Sequence, residues 1–235
     1  MNKLDILVFA AHPDDVELSC CGTVLKHISL GYKVGIIDLT KGELGTRGTA
    51  EIRAEETVNA SKILGIHARE NLGFRDGFFE IDEKNLLKVI EIIRKYQPEI
   101  ILANAISDRH PDHKRGGDLV SRANFLSGLS KIETQNQAAW RAKSVYRYIQ
   151  DNYVKPDFVV DITGFETKKL EAIKAFKSQF YDENSIEPQT PISELNFLEF
   201  ISARAKDFGR AIKVDFAEGF TAEHYIGVDN LFQLR

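Results

Sequence analysis

The sequence predicts an α/β fold, a Rossmann-like and mostly parallel sheet with helices on both faces. Short apolar runs at residues 5–11, 34–39 and 99–103 lack an alternation of polar and apolar residues, which is typical of strands buried on both faces. Helical patterns of apolar residues separate these runs, and glycines follow the patterns where helices are expected to end. Strands that alternate with helices along a chain favour a parallel sheet.

The individual elements follow from start and stop signals along the chain. The first predicted helix ends at Gly31, the second runs from Thr49 to a stop at Gly65, and the third ends before Pro98. The second half is less regular, with long apolar stripes at helical spacing. The predicted strands are residues 5–11, 34–39, 68–72, 99–103, 144–149 and 158–162. The predicted helices are residues 16–30, 49–64, 85–96, 166–180 and 192–212, and residues 42–48 and 127–140 are predicted loops.

Size and composition fit one domain, residues 1–235, of which 43% are hydrophobic. The net charge of −4 and the scattered basic residues make nucleic acid or a membrane surface an unexpected partner. The two cysteines, Cys20 and Cys21, are neighbours in a predicted helix, where a disulfide between them has poor geometry. No signal peptide is expected, because Asp5 interrupts the short amino-terminal apolar run. We therefore predict a reducing, cytoplasmic location.

Two short polar motifs concentrate histidines and acids directly after predicted strands. Residues 12–15 read His-Pro-Asp-Asp after the first strand, and residues 110–113 read His-Pro-Asp-His shortly after the fourth. In a doubly wound sheet of order 3-2-1-4, strands one and four are neighbours, and ligands bind at their carboxyl ends, where the winding reverses. Topology therefore brings the two motifs together at one edge of the sheet.

The residue types in these motifs match a catalytic zinc site. His12, Asp15 and His113 offer two imidazoles and a carboxylate, a three-ligand set with the fourth position open, which predicts one Zn²⁺ per chain. Asp14 is free to act as a general base. His110 is placed to stabilise an oxyanion, oriented by a carboxylate such as that of Asp112.

The same residues also allow other interpretations. A lone histidine at a strand end is usually structural, and Asp14 or Asp15 could simply cap the following helix. A dinucleotide-binding turn is disfavoured because the first turn lacks the G-x-G-x-x-G pattern and places two carboxylates where a pyrophosphate would bind. The loop at 42–48 lacks the ending of a P-loop, so it is either a surface loop or a functional one.

The motifs together resemble those of the PIG-L, or LmbE-like, deacetylase family. The resemblance rests on Ala-His-Pro-Asp-Asp at 11–15, the glycine-rich loop followed by Arg53, the His-Pro-Asp-His box at 110–113, and Ala-Glu-Gly-Phe at 217–220, and it runs over nearly the whole chain. It implies a Rossmann-like fold, one zinc ion, and hydrolysis of the N-acetyl group of glucosamine derivatives. Within the family, the spacing is most similar to bacterial enzymes that deacetylate N-acetylglucosaminyl-malate in bacillithiol biosynthesis.

The resemblance also implies roles for individual residues. The chain departs from the family pattern at Phe197, because some relatives have there a tyrosine that can donate to the oxyanion, whereas phenylalanine has no donor. The implied zinc ligands are His12, Asp15 and His113, the implied base is Asp14, and the implied oxyanion histidine is His110, with Asp112 beside it. The implied substrate contacts are Glu43, Arg53, Asp76 and Arg109.

Several functions remain open from the sequence. Beside a malate conjugate, the substrate could be a chitobiose-like or other N-acetylated sugar. From a different class, the chain could be a sugar-binding protein without catalysis, although an intact Asp14 beside an intact ligand set argues against it. An oxidoreductase is disfavoured by the missing glycine fingerprint. Relatives are often oligomers, so a homo-oligomer of unspecified size is an open expectation.

Overall fold

The computed structural model describes residues 3–233 and contains one seven-stranded sheet. The strands are β1 Ile6–Ala10, β2 Val34–Thr40, β3 Ala68–Phe74, β4 Ile100–Ala103, β5 Ser144–Tyr148, β6 Phe158–Asp161 and β7 Ala217–Ala222. The helices are α1 Asp15–Ser19, α2 Cys21–Ser29, α3 Ala50–Leu64, α4 Glu83–Tyr96, α5 Pro111–Ser127, α6 Glu166–Lys174 and α7 Phe197–Ala211. Two short 3₁₀ helices occupy Pro191–Ser193 and Leu231–Gln233.

The sheet order is β3-β2-β1-β4-β5-β7-β6, so the predicted order of the first four strands is confirmed. All pairs from β3 to β5 are parallel, whereas β7 runs antiparallel to both β5 and β6. The predicted α/β class with a mostly parallel sheet is therefore confirmed. The reversal of winding lies between β1 and β4, which sets their carboxyl ends side by side.

The core lies on both faces of the sheet, which explains the unbroken apolar strands. Along β1, Leu7 and Phe9 pack into one apolar cluster with helices α4 and α5. The alternate residues Val8 and Ala10 pack into a second cluster on the opposite face, with α1 and α2. Because successive strand side chains point to opposite faces, a strand covered on both sides must be apolar at every position.

The single helix predicted for residues 16–30 is wrong, because the helix breaks at Cys20 into α1 and α2. The Glu218 carboxylate accepts hydrogen bonds from the backbone of Gly22 (3.0 Å) and Thr23 (2.6 Å) at the start of α2. Lys169 Nζ lies 2.6 Å from the same carboxylate and donates to the Ser19 carbonyl at the end of α1 (3.2 Å). Polar groups from distant parts of the chain thus satisfy both helix ends at the break.

We expect Lys169→Met to destabilise the fold strongly, because it leaves the buried Glu218 carboxylate without its counter-charge. Removing one partner of a buried ion pair costs about 3–5 kcal/mol. The free energy of unfolding from urea titration measures this loss, with Lys168→Met as the matched control because Lys168 is exposed on the same helix. Equal stability of the two variants would show that the ion pair does not stabilise the break.

Two further helices are shorter than predicted. Contacts with a neighbouring residue explain why the first of them ends early. The helix predicted for 166–180 ends at Lys174, and beyond it the carbonyls of Ser178 and Phe180 accept hydrogen bonds from buried Arg47 at 3.0 and 3.3 Å. The helix predicted for 192–212 begins only at Phe197, after the 3₁₀ turn. The structure also extends the third strand to Phe74.

Helix α5 and strand β7 were not predicted, because glycines mask their patterns. Gly117 in α5 lies against the guanidinium of Arg147, where an added Cβ would come within 1.9 Å of Nη2. Gly219 in β7 similarly packs against the Phe208 ring. In both elements glycine permits a close approach that the periodicity of the sequence cannot reveal.

The described chain contains two free, buried cysteines, Cys20 and Cys21, so the expectation that they do not pair holds. Burial raises the pKa of both thiols well above the usual value. Among the helices within residues 3–233, none combines the length and apolar character needed to cross a membrane.

Candidate metal and catalytic site

A cavity of about 370 Å³ opens at the carboxyl ends of β1 and β4, where the sequence placed the two polar motifs. The loop after β1 and the start of α1 line it on one side, and the start of α5 lines it on the other. From the motifs, its walls contain His12, Asp14, Asp15, His110 and His113, and Arg109 lines it directly before the second motif. The structure therefore brings the two motifs together as the topology predicted.

Asp15 lies between the two predicted histidine ligands. Its Oδ2 is 3.8 Å from His12 Nδ1, and its Oδ1 is 3.1 Å from His113 Nε2. Its oxygens also accept hydrogen bonds from Asn104 Nδ2 (2.9 Å) and Gln150 Nε2 (3.1 Å). All three predicted ligands are buried, so their side chains are held in place by neighbouring groups.

Carboxylates hold the far nitrogen of each histidine. Asp108 Oδ2 contacts His113 Nδ1, while its Oδ1 accepts from the backbone of residues 151 and 152. On the other ring, His12 Nε2 lies 3.0 Å from Asp76 Oδ1 and 3.6 Å from Asp112 Oδ2. His12 Nδ1 and His113 Nε2 therefore face Asp15. Carboxylates in the second coordination sphere orient metal-binding histidines in the same way.

The donor set fits a divalent cation. Nitrogen and oxygen donors of this kind suit zinc, and five carboxylates surround three imidazoles, an excess of negative charge that favours a cation. Among residues 3–233, two groups of donors lie within 4.8 Å of one another and share His12: one adds His110 and His113, and the other adds Asp76 and Asp112. The predicted set of His12, Asp15 and His113 is not one of these two groups. The five carboxylates are those of Asp14, Asp15, Asp76, Asp108 and Asp112.

The pKa values of the ligands reflect the same excess of negative charge. Burial alone lowers the pKa of His12, but hydrogen bonds to Asp112 and Asp76 and the charge of Asp15 raise it to about 10. The pKa of His113 rises to about 9 against burial, through Asp15 and Asp108. Without a metal, protons on the histidines balance the carboxylates, so a divalent ion would replace protons there.

Asp14 adopts a strained backbone conformation with φ 115° and ψ −24°. It occupies the N-cap position of α1 but makes no side-chain cap hydrogen bond, so capping does not account for it. Its buried carboxylate lies 3.9 Å from Arg53 Nη1. Burial raises its pKa to about 7, although Arg53 opposes that shift. Positive φ at a residue other than glycine is sparsely populated and concentrates at functional sites.

His110 is fixed by the start of α5. Its Nδ1 accepts the backbone N–H of Asp112 at 3.2 Å, so a neutral ring carries its proton on Nε2. Burial lowers the pKa of His110, which favours the neutral form. The Asp112 carboxylate does not bond the His110 ring; it contacts Arg115 Nη1 (2.6 Å) and the Gly77 backbone (2.8 Å). The predicted orientation of His110 thus comes from the Asp112 backbone.

The four predicted substrate contacts differ in position. Arg53 and Asp76 line the cavity, although the Asp76 carboxylate is already bonded to His12. Glu43 is exposed, and its Oε1 accepts the Asp76 backbone N–H at 2.9 Å. Arg109 lines the cavity but pairs with Asp151, with Nε 2.5 Å from Oδ2. Their roles as substrate contacts stay predictions.

Three residues that position the ligands were not predicted from the sequence. Asp108 lies two residues before the second motif and five before His113, and an orienting carboxylate was a detectable signal there. Asn104 directly follows β4, a position where polar residues reach a site. Gln150 follows β5, and no local pattern marks it. Phe197, the departure from the family pattern, lines the cavity with its apolar ring.

A polar cluster of histidines and carboxylates at the switch point of a mostly parallel sheet defines the molecule as an α/β enzyme. The sequence profile of the PIG-L family, described as GlcNAc-PI de-N-acetylase, matches residues 7–124, half of the chain. The chain therefore belongs to the PIG-L family, as its motifs predicted.

The named activities of the relatives differ from one relative to another. The chain is 28% identical to diacetylchitobiose deacetylase of Thermococcus kodakarensis over 186 residues, 74% of this chain and 70% of the relative. It is 26% identical over 195 residues to a probable N-acetyl-α-D-glucosaminyl L-malate deacetylase 2 of Bacillus anthracis, 76% and 83% of the two chains. It is also 25% identical to 4-oxalmesaconate hydratase of Pseudomonas putida over 190 residues, 74% and 73% of the two chains.

Among solved structures, the conserved protein TT1542 of Thermus thermophilus superposes with a TM-score of 0.86. It is 35% identical, and the match covers 96% of this chain and 98% of that one. The fold is thus shared over nearly the whole chain.

Proposed function

We propose that the protein is a zinc-dependent hydrolase that removes the acetyl group from an N-acetylglucosaminide. The observation that supports it most is the buried cluster in which Asp15 lies between His12 and His113 at the floor of a cavity. These three side chains would hold one zinc ion, and a bound zinc ion supplies Lewis acidity that polarises a carbonyl group.

The chain's own residues account for the proton transfers of amide hydrolysis. Asp14 takes a proton from the water whose oxygen adds to the acetyl carbonyl carbon. The carbon–nitrogen bond then breaks, and Asp14 returns the proton to the amine nitrogen, which gives acetate and a free amine. His110 stabilises the negative charge on the carbonyl oxygen through its Nε2–H. Asp112 and Asp76 hold His12 in place.

Acetate and amine release from a panel of N-acetylated sugars tests this function. We expect the zinc-loaded protein to deacetylate at least one N-acetylglucosaminide, and the metal-stripped protein to regain this activity when zinc is restored. The panel should include N-acetylglucosaminyl-malate, diacetylchitobiose and free N-acetylglucosamine. No amine from any of them, together with hydration of an unsaturated acid, would instead group the chain with its hydratase relative.

The finer proposal is that the substrate is N-acetyl-D-glucosaminyl L-malate, in cytoplasmic bacillithiol biosynthesis. The similarity to malate and chitobiose deacetylases is nearly equal, so it does not separate these substrates. Support comes from Arg53 and Arg109, two guanidinium groups in the cavity wall of a protein with a net charge of −4. Local cations are needed to bind an anion in an acidic protein, and arginine meets a carboxylate through two hydrogen bonds.

A further inference from the structure

Arg204, on helix α7, lines the same cavity but has few partners of its own. Within residues 3–233 its guanidinium makes one hydrogen bond, from Nη2 to the Leu18 carbonyl at 3.2 Å. No carboxylate of the described residues lies within 4.0 Å of it, and the charges of Asp151, Glu218 and Asp108 act on it from farther away. A guanidinium has five N–H donors, so most of the donors of Arg204 are unpaired within the protein.

Arg204 is half-buried, and three buried arginines outside the cavity are saturated by comparison, whereas Arg53, buried in the cavity wall, pairs with Asp14 at 3.9 Å. Arg47 and Arg94 each donate four hydrogen bonds, and Arg147 donates five. These residues have structural roles, because carbonyls and side chains of neighbouring segments surround them. An arginine that lacks such partners and faces a cavity has donors left for a ligand.

The surroundings of Arg204 define which part of a substrate it meets. Phe197, Ile201 and Arg204 all line the cavity and follow one another at helical spacing, so α7 presents an apolar face with a single cation. Arg109, the cation predicted from sequence, is already paired with Asp151 and is well exposed. Arg53 also lines the cavity but lies 3.9 Å from the Asp14 carboxylate, so among the described arginines of the cavity wall Arg204 is the one without a carboxylate within 4.0 Å.

We propose that Arg204 binds an anionic group on the aglycone of the substrate and sets a preference for charged over neutral N-acetylglucosaminides. The inference rests on the proposed deacetylase function and adds a specificity residue to it. Carboxylate and phosphate share the chemistry that a guanidinium recognises, since both accept paired charge-assisted hydrogen bonds.

The test compares kcat/KM for three substrates of the zinc-loaded enzyme: N-acetylglucosaminyl-malate, N-acetylglucosamine 1-phosphate and neutral methyl N-acetylglucosaminide. We expect wild type to prefer a charged substrate, and Arg204→Gln to lower kcat/KM for it by about 10- to 100-fold, the range for a lost hydrogen bond to a charged group. The loss should appear mainly in KM, and the neutral substrate should change little. Arg210→Gln, exposed on the same helix, is the matched control.

The outcomes distinguish a failure of the role of Arg204 from a failure of the proposed deacetylase function. A preference for malate identifies a carboxylate as the ligand, and a preference for the phosphate identifies a phosphate. Equal loss for charged and neutral substrates in Arg204→Gln overturns the role of Arg204 and leaves the deacetylase intact, whereas no amine from any substrate rejects the deacetylase itself. If Arg204→Gln does not fold, the same comparison is made with Arg204→Lys, and the salt dependence of kcat/KM for the charged substrate is measured on wild type. Activity on the charged substrate that is insensitive to salt then overturns the proposal.

Discussion

Replacing His12 and His113 together by alanine is expected to abolish zinc binding and, with it, activity. Both rings face Asp15 in a buried cluster, so the double variant keeps one of the three proposed donors. Lewis acid catalysis is worth several kcal/mol, which predicts a loss of about 10³-fold or more in kcat/KM. Metal analysis of the purified protein and amine release from the best substrate measure the two effects together.

The matched control is His224→Ala, because His224 is exposed and belongs to none of the possible metal groups. Full zinc occupancy in the double variant would rule out the proposed ligand set. His110→Ala discriminates further, since His110 shares a possible metal group with the same two histidines. It should retain zinc and lose rate if His110 stabilises the oxyanion, whereas loss of zinc would make His110 a ligand.

Asp14→Asn is expected to bind zinc normally and to lose at least about 10²-fold in turnover, the low end for a general base. Asparagine is the informative replacement because it tolerates positive φ better than most residues, so the strained backbone of Asp14 should persist. It also keeps the size of the side chain while removing the proton-accepting carboxylate. The rate is measured at saturating substrate, with zinc content determined on the same sample.

Asp207→Asn, on the exposed side of α7, controls for the change of a carboxylate to an amide. Turnover of the Asp14 variant at the wild-type rate, with zinc bound, would assign the base to another group. Loss of zinc from the variant would show that Asp14 supports the metal rather than the proton transfer.

The sequence was informative wherever structure depends on local pattern. The strands are apolar at successive positions because helices cover both faces, and that pattern is readable in β1 and β2. The convergence of His12 and His113 followed from the order of strands alone. Both inferences use rules that need no knowledge of side-chain contacts.

Features that depend on distant contacts could not be predicted. The break before α2 is satisfied by Glu218, and α6 gives way to a segment whose carbonyls bind Arg47. The unpaired state of Arg204 is likewise visible only when every neighbouring acceptor is known. In each case the deciding partner lies more than 100 residues away in the sequence.

The contact between Glu218 and the start of α2 has a consequence for how the protein folds. It joins residues separated by 196 and 195 positions, next to the helix that begins with Asp15. Contacts of such long sequence separation require closure of a very large loop, which slows folding. During synthesis, the contacts between Glu218 and the start of α2 cannot form until β7 has left the ribosome. A partly synthesised chain that lacks Glu218 therefore leaves the backbone N–H groups of Gly22 and Thr23 without this acceptor.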